Sequence, residues 1–244
     1  MSASLLLVAH GSRDPRFGDT ARRVRDAVAR RLSHVEVGLC FLDLDEPLVA
    51  SALSELSGDC VVVPLLLAPG YHSEVDLPGI IAESSTAARI VTSEVIGGSS
   101  LTPALADRLA EAGIRTGDGI IVTAVGSSNP AAERVVRRRA VELSTRLHRP
   151  VDVVFATQLG VGDIRLKTAI RRLHNAGAAR IAVSPYFLSA GLLTERVEEA
   201  VDRLAPGSLV AGPIGTHPTL INAVVDCYTR HTRPQHSPVA ARTA

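Results

Sequence analysis

The chain has 244 residues, 46% hydrophobic but only 3% aromatic with no Trp, so it can bury a sizeable core and that core must be aliphatic. Lys+Arg at 26 against Asp+Glu at 25 leaves a net charge of +1, which argues against a dedicated nucleic-acid binder and its basic excess. Cys40, Cys60 and Cys227 are scattered without a CxxC and read as reduced thiols. No apolar run reaches the ~18 residues of a membrane span, and the start lacks the basic region of a signal peptide. The expected location is the cytoplasm, with no membrane or nucleic-acid partner.

The stretch Leu5 to Pro15, LLLVAHGSRDP, leads the chain. Residues 4–9 are continuously apolar, as in a parallel strand covered on both faces. The strand ends on His10, turns at Gly11, and passes into a helix over 15–32 with Asp14 as N-cap and Pro15 in its first position. A second strand is expected over 35–42. Asp45-Glu46-Pro47 then opens a helix that runs to about 56. A third strand over 60–67 leads into a loop carrying His72, and a helix follows Pro78. A fourth strand over 89–95 and a helix over 102–112 complete the first half.

At residues 113–119, GIRTGDG, the pattern restarts. IIVTAVGSSNP at 120–130 lies over LLLVAHGSRDP at an offset of 115, VDVVFA at 151–156 over VEVGLC at 35–40, and SPYFLSAGLLTERV at 184–197 over VPLLLAPGYHSEVD at 63–76. Pro218 and Leu220 lie over Pro103 and Leu105. Strands alternating with helices at this spacing mean an α/β fold with parallel sheets. The reading is two similar lobes, 1–115 and 116–232, facing each other across a cleft, each with a four-stranded sheet in the order 2-1-3-4. A tail at 233–244 is expected to be disordered. The fused repeat suggests a monomer with its own complete cleft and a pseudo-twofold axis, with a homodimer as the alternative.

In open parallel sheets, ligands bind beyond the carboxyl ends of the strands. His10 follows strand one, Glu46 strand two and His72 strand three, so the three are expected to converge on one rim. Two imidazoles and a carboxylate suit a divalent first-row metal with open positions, and a neutral histidine is the natural general base near pH 7. A lone histidine after a strand is usually an ordinary loop residue, and an acid beside Pro47 is a normal helix start. The pairing of the two histidines carries the functional reading. The second half lacks this set: Val125 stands in place of His10 and Leu193 in place of His72, with Asp163 roughly opposite Glu46. It reads as a wall of the pocket. His217, where the first half has Thr102, is expected either to face the cleft or to begin a helix.

AHGSRDP, the DEP at 45–47 and PLLLAPGYHSEVDLP together resemble the sirohydrochlorin/cobalt chelatase family, the class II chelatases called CbiX or SirB, over roughly 5–228. The resemblance implies two flavodoxin-like lobes and ATP-independent insertion of Fe2+, Co2+ or sometimes Ni2+ into a sirohydrochlorin-type tetrapyrrole, for sirohaem or cobalamin, with no cofactor beyond the substrate metal. It implies that His10 is proton acceptor and metal ligand, that His72 is the second ligand, and that Glu46 is a catalytic acid contacting substrate. The loop Leu67, Ala68, Pro69, Gly70, Tyr71, His72 would cradle the macrocycle. From position alone, Ser12 and Arg13 are expected at the substrate, with Arg13 pairing to a carboxylate. A non-catalytic metal or tetrapyrrole carrier would use the same histidines. A histidine phosphatase would need an arginine where Ala9 stands, and a nucleotide site would need GxGxxG or GxxxxGK[ST], both absent.

Overall fold

A computed structural model describes residues 3–232; the tail expected at 233–244 lies outside the described residues. The chain forms two parallel four-stranded sheets. The first has the order β2-β1-β3-β4, from β1 (Ser4–Ala9), β2 (Val37–Phe41), β3 (Cys60–Pro64) and β4 (Ile90–Thr92). The second has the order β6-β5-β7-β8, from β5 (Asp118–Ala124), β6 (Val151–Phe155), β7 (Arg180–Pro185) and β8 (Leu209–Val210). Both orders match the expectation, and among the described residues no helix is long and apolar enough to cross a membrane.

The helices fill three layers. On the outer face of the first sheet, α2 (Val49–Ser54) and α3 (Leu77–Glu83) cover Leu6, Val8 and Val62. On the outer face of the second, α6 (Ile164–Asn175) and α7 (Leu192–Leu204) cover Ile121, Val154 and Val183. Between the sheets lie α1 (Pro15–Arg31), α4 (Thr102–Ala112), α5 (Pro130–Leu147) and α8 (Pro218–Thr232). Here Leu5, Leu7 and Val63 of one sheet and Ile120, Val122 and Ala182 of the other join a single hydrophobic cluster. Alternate residues of β1 thus enter different cores, which is why the strand must be apolar throughout.

The middle layer is exchanged between the sequence halves. Helix α4 belongs to the first half but packs on β7 and β8, and its Arg108 donates to the carbonyls of Pro213 and Ile214. Helix α8 belongs to the second half but packs on β3 and α1. Its Tyr228 hydroxyl donates to the Ala3 carbonyl at 2.6 Å, and its Arg230 pairs with Glu94. The expected division at 115 therefore separates the sheets and does not separate two packed units. The cause is the short connector: Gly113 caps α4 in the left-handed conformation (φ 87°) and β5 starts at Asp118. So short a link leaves α4 beside the second sheet.

The repeat is legible at atomic detail. Asp14 and Asn129 cap α1 and α5 with nearly equal backbone angles, each accepting from the N–H two residues on. Gly11 and Gly126 turn at φ 97° and 99°. The expected alignment of the second strands is two residues off. Leu5 pairs with Val37 and its counterpart Ile120 with Val151, so Val37 and not Val35 corresponds to Val151. A slip of two leaves the in–out alternation unchanged, so the hydrophobic pattern could not reveal it.

Asp118 opens β5 as a buried carboxylate that accepts from Arg180 at 2.7 Å and from the Arg115 N–H at 2.7 Å. The Arg180 hydrogen bond holds its carboxyl below the ordinary range, against the opposing effect of burial. A depressed folded-state value adds stability above the unfolded carboxylate value, about 3.9. That stability is lost as pH falls through the folded value. Asp118→Asn should therefore lower the melting temperature at neutral pH and flatten its fall below about pH 4, as read by thermal melts across a pH series.

Candidate functional site

The carboxyl ends of both sheets open onto one cleft of about 800 Å³, within the ~300–1,000 Å³ usual for small-molecule sites. Residues 10–14 and 65–73 form one wall, and 124–128 with 186–194 the other. Its walls are chiefly apolar, with Phe17, Leu65, Leu66, Val136, Phe155 and Leu188 among them.

His10 and His72 meet in this cleft. Their Nε2 atoms are 3.0 Å apart and the rings stand nearly perpendicular, at 88°. The other nitrogen of each ring has a partner that only accepts. His10 Nδ1 lies 3.0 Å from the Gly11 carbonyl, and His72 Nδ1 lies 2.6 Å from the Asp76 carboxylate. Each Nδ1 is thus suited to donate, which leaves the two Nε2 atoms facing each other at hydrogen-bond distance. A proton or a metal ion between them would satisfy both. Two imidazole ligands at ~2.1 Å from a first-row ion, in adjacent positions about 90° apart, would themselves sit about 3 Å apart. Among the described residues no group of three or more His, Cys, Asp or Glu side chains could hold a metal. Any metal held here would therefore have two protein ligands and a mostly open coordination sphere.

Local sequence explains how each imidazole is aimed. His10 ends β1, where its carbonyl accepts from Asp43 N at 3.0 Å. Gly11 turns the chain so closely under this segment that a Cβ would fall 1.6 Å from the Asp43 carbonyl oxygen, so only glycine fits. The Asp45 carboxylate then receives the Ser12 N–H at 3.0 Å. His72 begins a π-helical turn, His72–Asp76, in which the Leu77 N–H bonds back to the His72 carbonyl. Such turns are rare and recur at functional sites. Ser73 ties the loop to Gly70 through both its hydroxyl and its N–H.

Most of the expected site residues gather. Ser12, Arg13 and Leu67 to His72 all line the cleft. Ser12 Oγ also accepts from the Asp14 N–H, so the residue shapes the turn as well. Arg13 is exposed on the rim. Glu46 does not join them. It is exposed, its carboxylate accepts the Leu48 N–H at 3.0 Å, and it is absent from the cleft walls. The acid that reaches the His10 turn is its neighbour Asp45. Asp163 does not answer Glu46 either; it pairs with Arg203 of α7 on the outer face. His217 does not face the cleft. It is buried at the start of α8, where its Nδ1 accepts from the Thr219 N–H and its Nε2 lies 3.2 Å from Asp107.

Asp76, which the sequence analysis does not single out, orients His72. The spacing of four between His72 and Asp76 was a usable sign, since it stacks side chains on one face of a helical turn. Residues from the second half were also missed: Tyr186 and Leu188 line the cleft, and nothing in their spacing marks them.

The CbiX family model matches residues 4–112 and 119–231, both halves of the repeat. The chain belongs to the CbiX family. It is 28% identical over 240 residues to the sirohydrochlorin cobaltochelatase of Priestia megaterium, covering 89% of this chain and 76% of that protein. It is 25% identical over 238 residues to the sirohydrochlorin ferrochelatase of Bacillus subtilis (strain 168), covering 93% and 90%. The structure of SirB from Bacillus subtilis with Fe3+ superposes with a TM-score of 0.79 at 23% identity, over 95% of this chain and 96% of that one.

Groups that orient metal-bound histidines typically matter ~10- to 100-fold for affinity. Asp76→Asn should weaken Co2+ binding within that range while leaving the melting temperature nearly unchanged, as measured by anaerobic titration of the visible Co2+ bands.

Proposed function

We propose that this protein is a sirohydrochlorin chelatase, a lyase that inserts Fe2+ or Co2+ into a sirohydrochlorin-type tetrapyrrole without ATP. The observation that carries the reading is the pair of inward-facing Nε2 atoms 3.0 Å apart in the wall of an apolar cleft. Family membership and the chelatase relatives support the same reaction.

Each requirement of metallation finds a group here. The metal must arrive partly stripped of water and leave easily. A two-histidine site with open positions does this better than a closed four-ligand site, which retains its ion. Two pyrrole N–H protons must depart as the metal enters; His10 Nε2 accepts one once it releases the metal, and His72 Nε2, freed by the same release, accepts the other. The Gly11 carbonyl keeps His10 in the tautomer that exposes Nε2. A flat macrocycle edged with carboxylates needs apolar walls for its faces and cations at its rim. Leu67, Ala68 and Pro69 supply the first. Arg13, which forms no ion pair among the described residues, is available for the second. Glu46 is too far out on the loop to be retained as the catalytic acid, and nothing in the cleft favours a role for it.

A carrier that only delivered metal would show the same two histidines, so turnover is the deciding observation. Anaerobic visible spectroscopy with sirohydrochlorin should show multiple-turnover conversion to the metallated spectrum with Fe2+ and with Co2+; Ni2+ is the third metal to test. The rate should drop by at least ~100-fold in His10→Ala, the scale of a lost general base. Binding of the tetrapyrrole with no rate above the protein-free control would sink the enzyme reading. Arg13→Ala should raise KM for the tetrapyrrole severalfold with kcat little changed, the pattern of a lost ground-state contact; an unchanged KM removes Arg13 from the site.

A further inference from the structure

The second lobe has neither histidine, but it holds the loop that carries one of them. We propose that Tyr186, backed by Arg139, is a positioning residue that sets where His72 stands relative to His10.

The loop from β3 to His72 is gripped at its base. The Leu66 carbonyl accepts the Gly97 N–H at 3.1 Å, and the Leu67 carbonyl accepts the Tyr186 hydroxyl at 3.1 Å. The backbones run so close that a Cβ on Gly97 would fall 1.8 Å from the Leu67 oxygen. Behind Gly97, the buried Arg139 of α5 donates to the carbonyls of Gly97 and Gly98 at 3.3 and 3.5 Å. Its guanidinium is held in turn by Glu142 at 2.7 Å. Glu142 also receives Ser100 Oγ and Thr102 Oγ1. Burial alone would raise its carboxyl, but these two hydroxyls and Arg139 outweigh burial and leave it lowered. The girdle is thus a charged pair from the second half bound to backbone of the first. Beyond the loop, Ser73 fixes Gly70 and Asp76 fixes His72.

The second lobe shows what Tyr186 replaces. There the corresponding carbonyls, of Phe187 and Leu188, both accept backbone N–H groups, from Ile214 and Gly215. In the first lobe Gly97 serves only the first of the two, and the Gly98 N–H turns instead to the Val95 carbonyl. Without the Tyr186 hydroxyl the Leu67 carbonyl would lose its partner. The counterpart of Tyr186 in the first lobe is Leu65, which has no hydroxyl, so this tyrosine bond has no equivalent in the other direction and serves only the loop that bears a histidine. Burial pushes the Tyr186 phenol up to about 12, so it stays a donor throughout the working range of pH. His72 lies five residues beyond the clamped carbonyl, and a separation of 3.0 Å between two ligand nitrogens tolerates little drift in either loop.

The test is anaerobic Co2+ titration, without tetrapyrrole, of the wild type, Tyr186→Phe, Tyr228→Phe and His72→Ala. Tyr228→Phe removes another tyrosine hydroxyl bonded to backbone, at 2.6 Å to Ala3, away from the cleft, and so controls for a general loss of stability. Tyr186→Phe should keep the wild-type circular dichroism, weaken Co2+ about 3- to 10-fold, the scale of one neutral hydrogen bond, shift the visible bands, and lower kcat with KM for the tetrapyrrole unchanged. Tyr228→Phe should leave affinity and bands as in the wild type. Unchanged binding and bands in Tyr186→Phe would overturn the proposal, as would equal changes in both tyrosine variants. The inference rests on His10 and His72 being the metal ligands. A wild type that binds no Co2+, or a His72→Ala that binds it as well, defeats that reading and this one with it. An unaltered Tyr186→Phe beside a His72→Ala that loses Co2+ binding defeats this one alone.

Discussion

Two imidazole nitrogens brought to 3.0 Å from two separate loops demand close control of both, and much of this structure serves to hold them there. Each ring is fixed by an acceptor on its far side, the Gly11 carbonyl for His10 and Asp76 for His72. Each loop is fixed by backbone packing that only glycine permits, at Gly11 against Asp43 and at Gly97 against Leu67. Two ring nitrogens held at this distance can share a proton or an ion between them.

The repeat does more than duplicate a fold. Where the first lobe has histidines, the second has Val125 and Leu193, and the same strand-end turns become an apolar wall. The turns themselves have kept their hydrogen bonds. Ser12 accepts from Asp14 N as Ser127 accepts from Asn129 N, and Ser73 bonds Gly70 as Thr194 bonds Gly191. The frame that aims a ligand thus survives where the ligand has gone. The edges of the cleft differ as well: Arg16 meets Glu195 at 2.6 Å on one side, while on the other Asn129 meets Glu74 at only 3.4 Å.

What could be read from the sequence follows from what the patterns encode. Apolar runs at 4–9 and 60–67 meant strands buried on both faces, and the order 2-1-3-4 in both sheets agrees, though the third strand ends at Pro64. His10 and His72 could be paired because both follow neighbouring strands. Glu46 was misplaced because position after a strand does not say which of two adjacent acids turns inward: Glu46 accepts the Leu48 N–H while Asp45 takes the turn. Asp76 did not stand out because the π-turn that pairs it with His72 leaves no mark in hydrophobic periodicity. Tyr186 and Arg139 act on backbone carbonyls far away in sequence, and such contacts are invisible until the sheets are in register.

The exchange of α4 and α8 has a consequence for how such a molecule can come into being and be taken apart. Neither half carries a full coat of helices for its own sheet: the first lacks the cover that α8 gives β3, and the second lacks the cover that α4 gives β7. A chain severed at the 113–117 connector would yield two fragments, each with a bare apolar face shaped for the other, so the fragments would be drawn to reassemble. Joined in one polypeptide, the same exchange ties the order of the lobe that bears the histidine pair to the folding of the lobe that bears none.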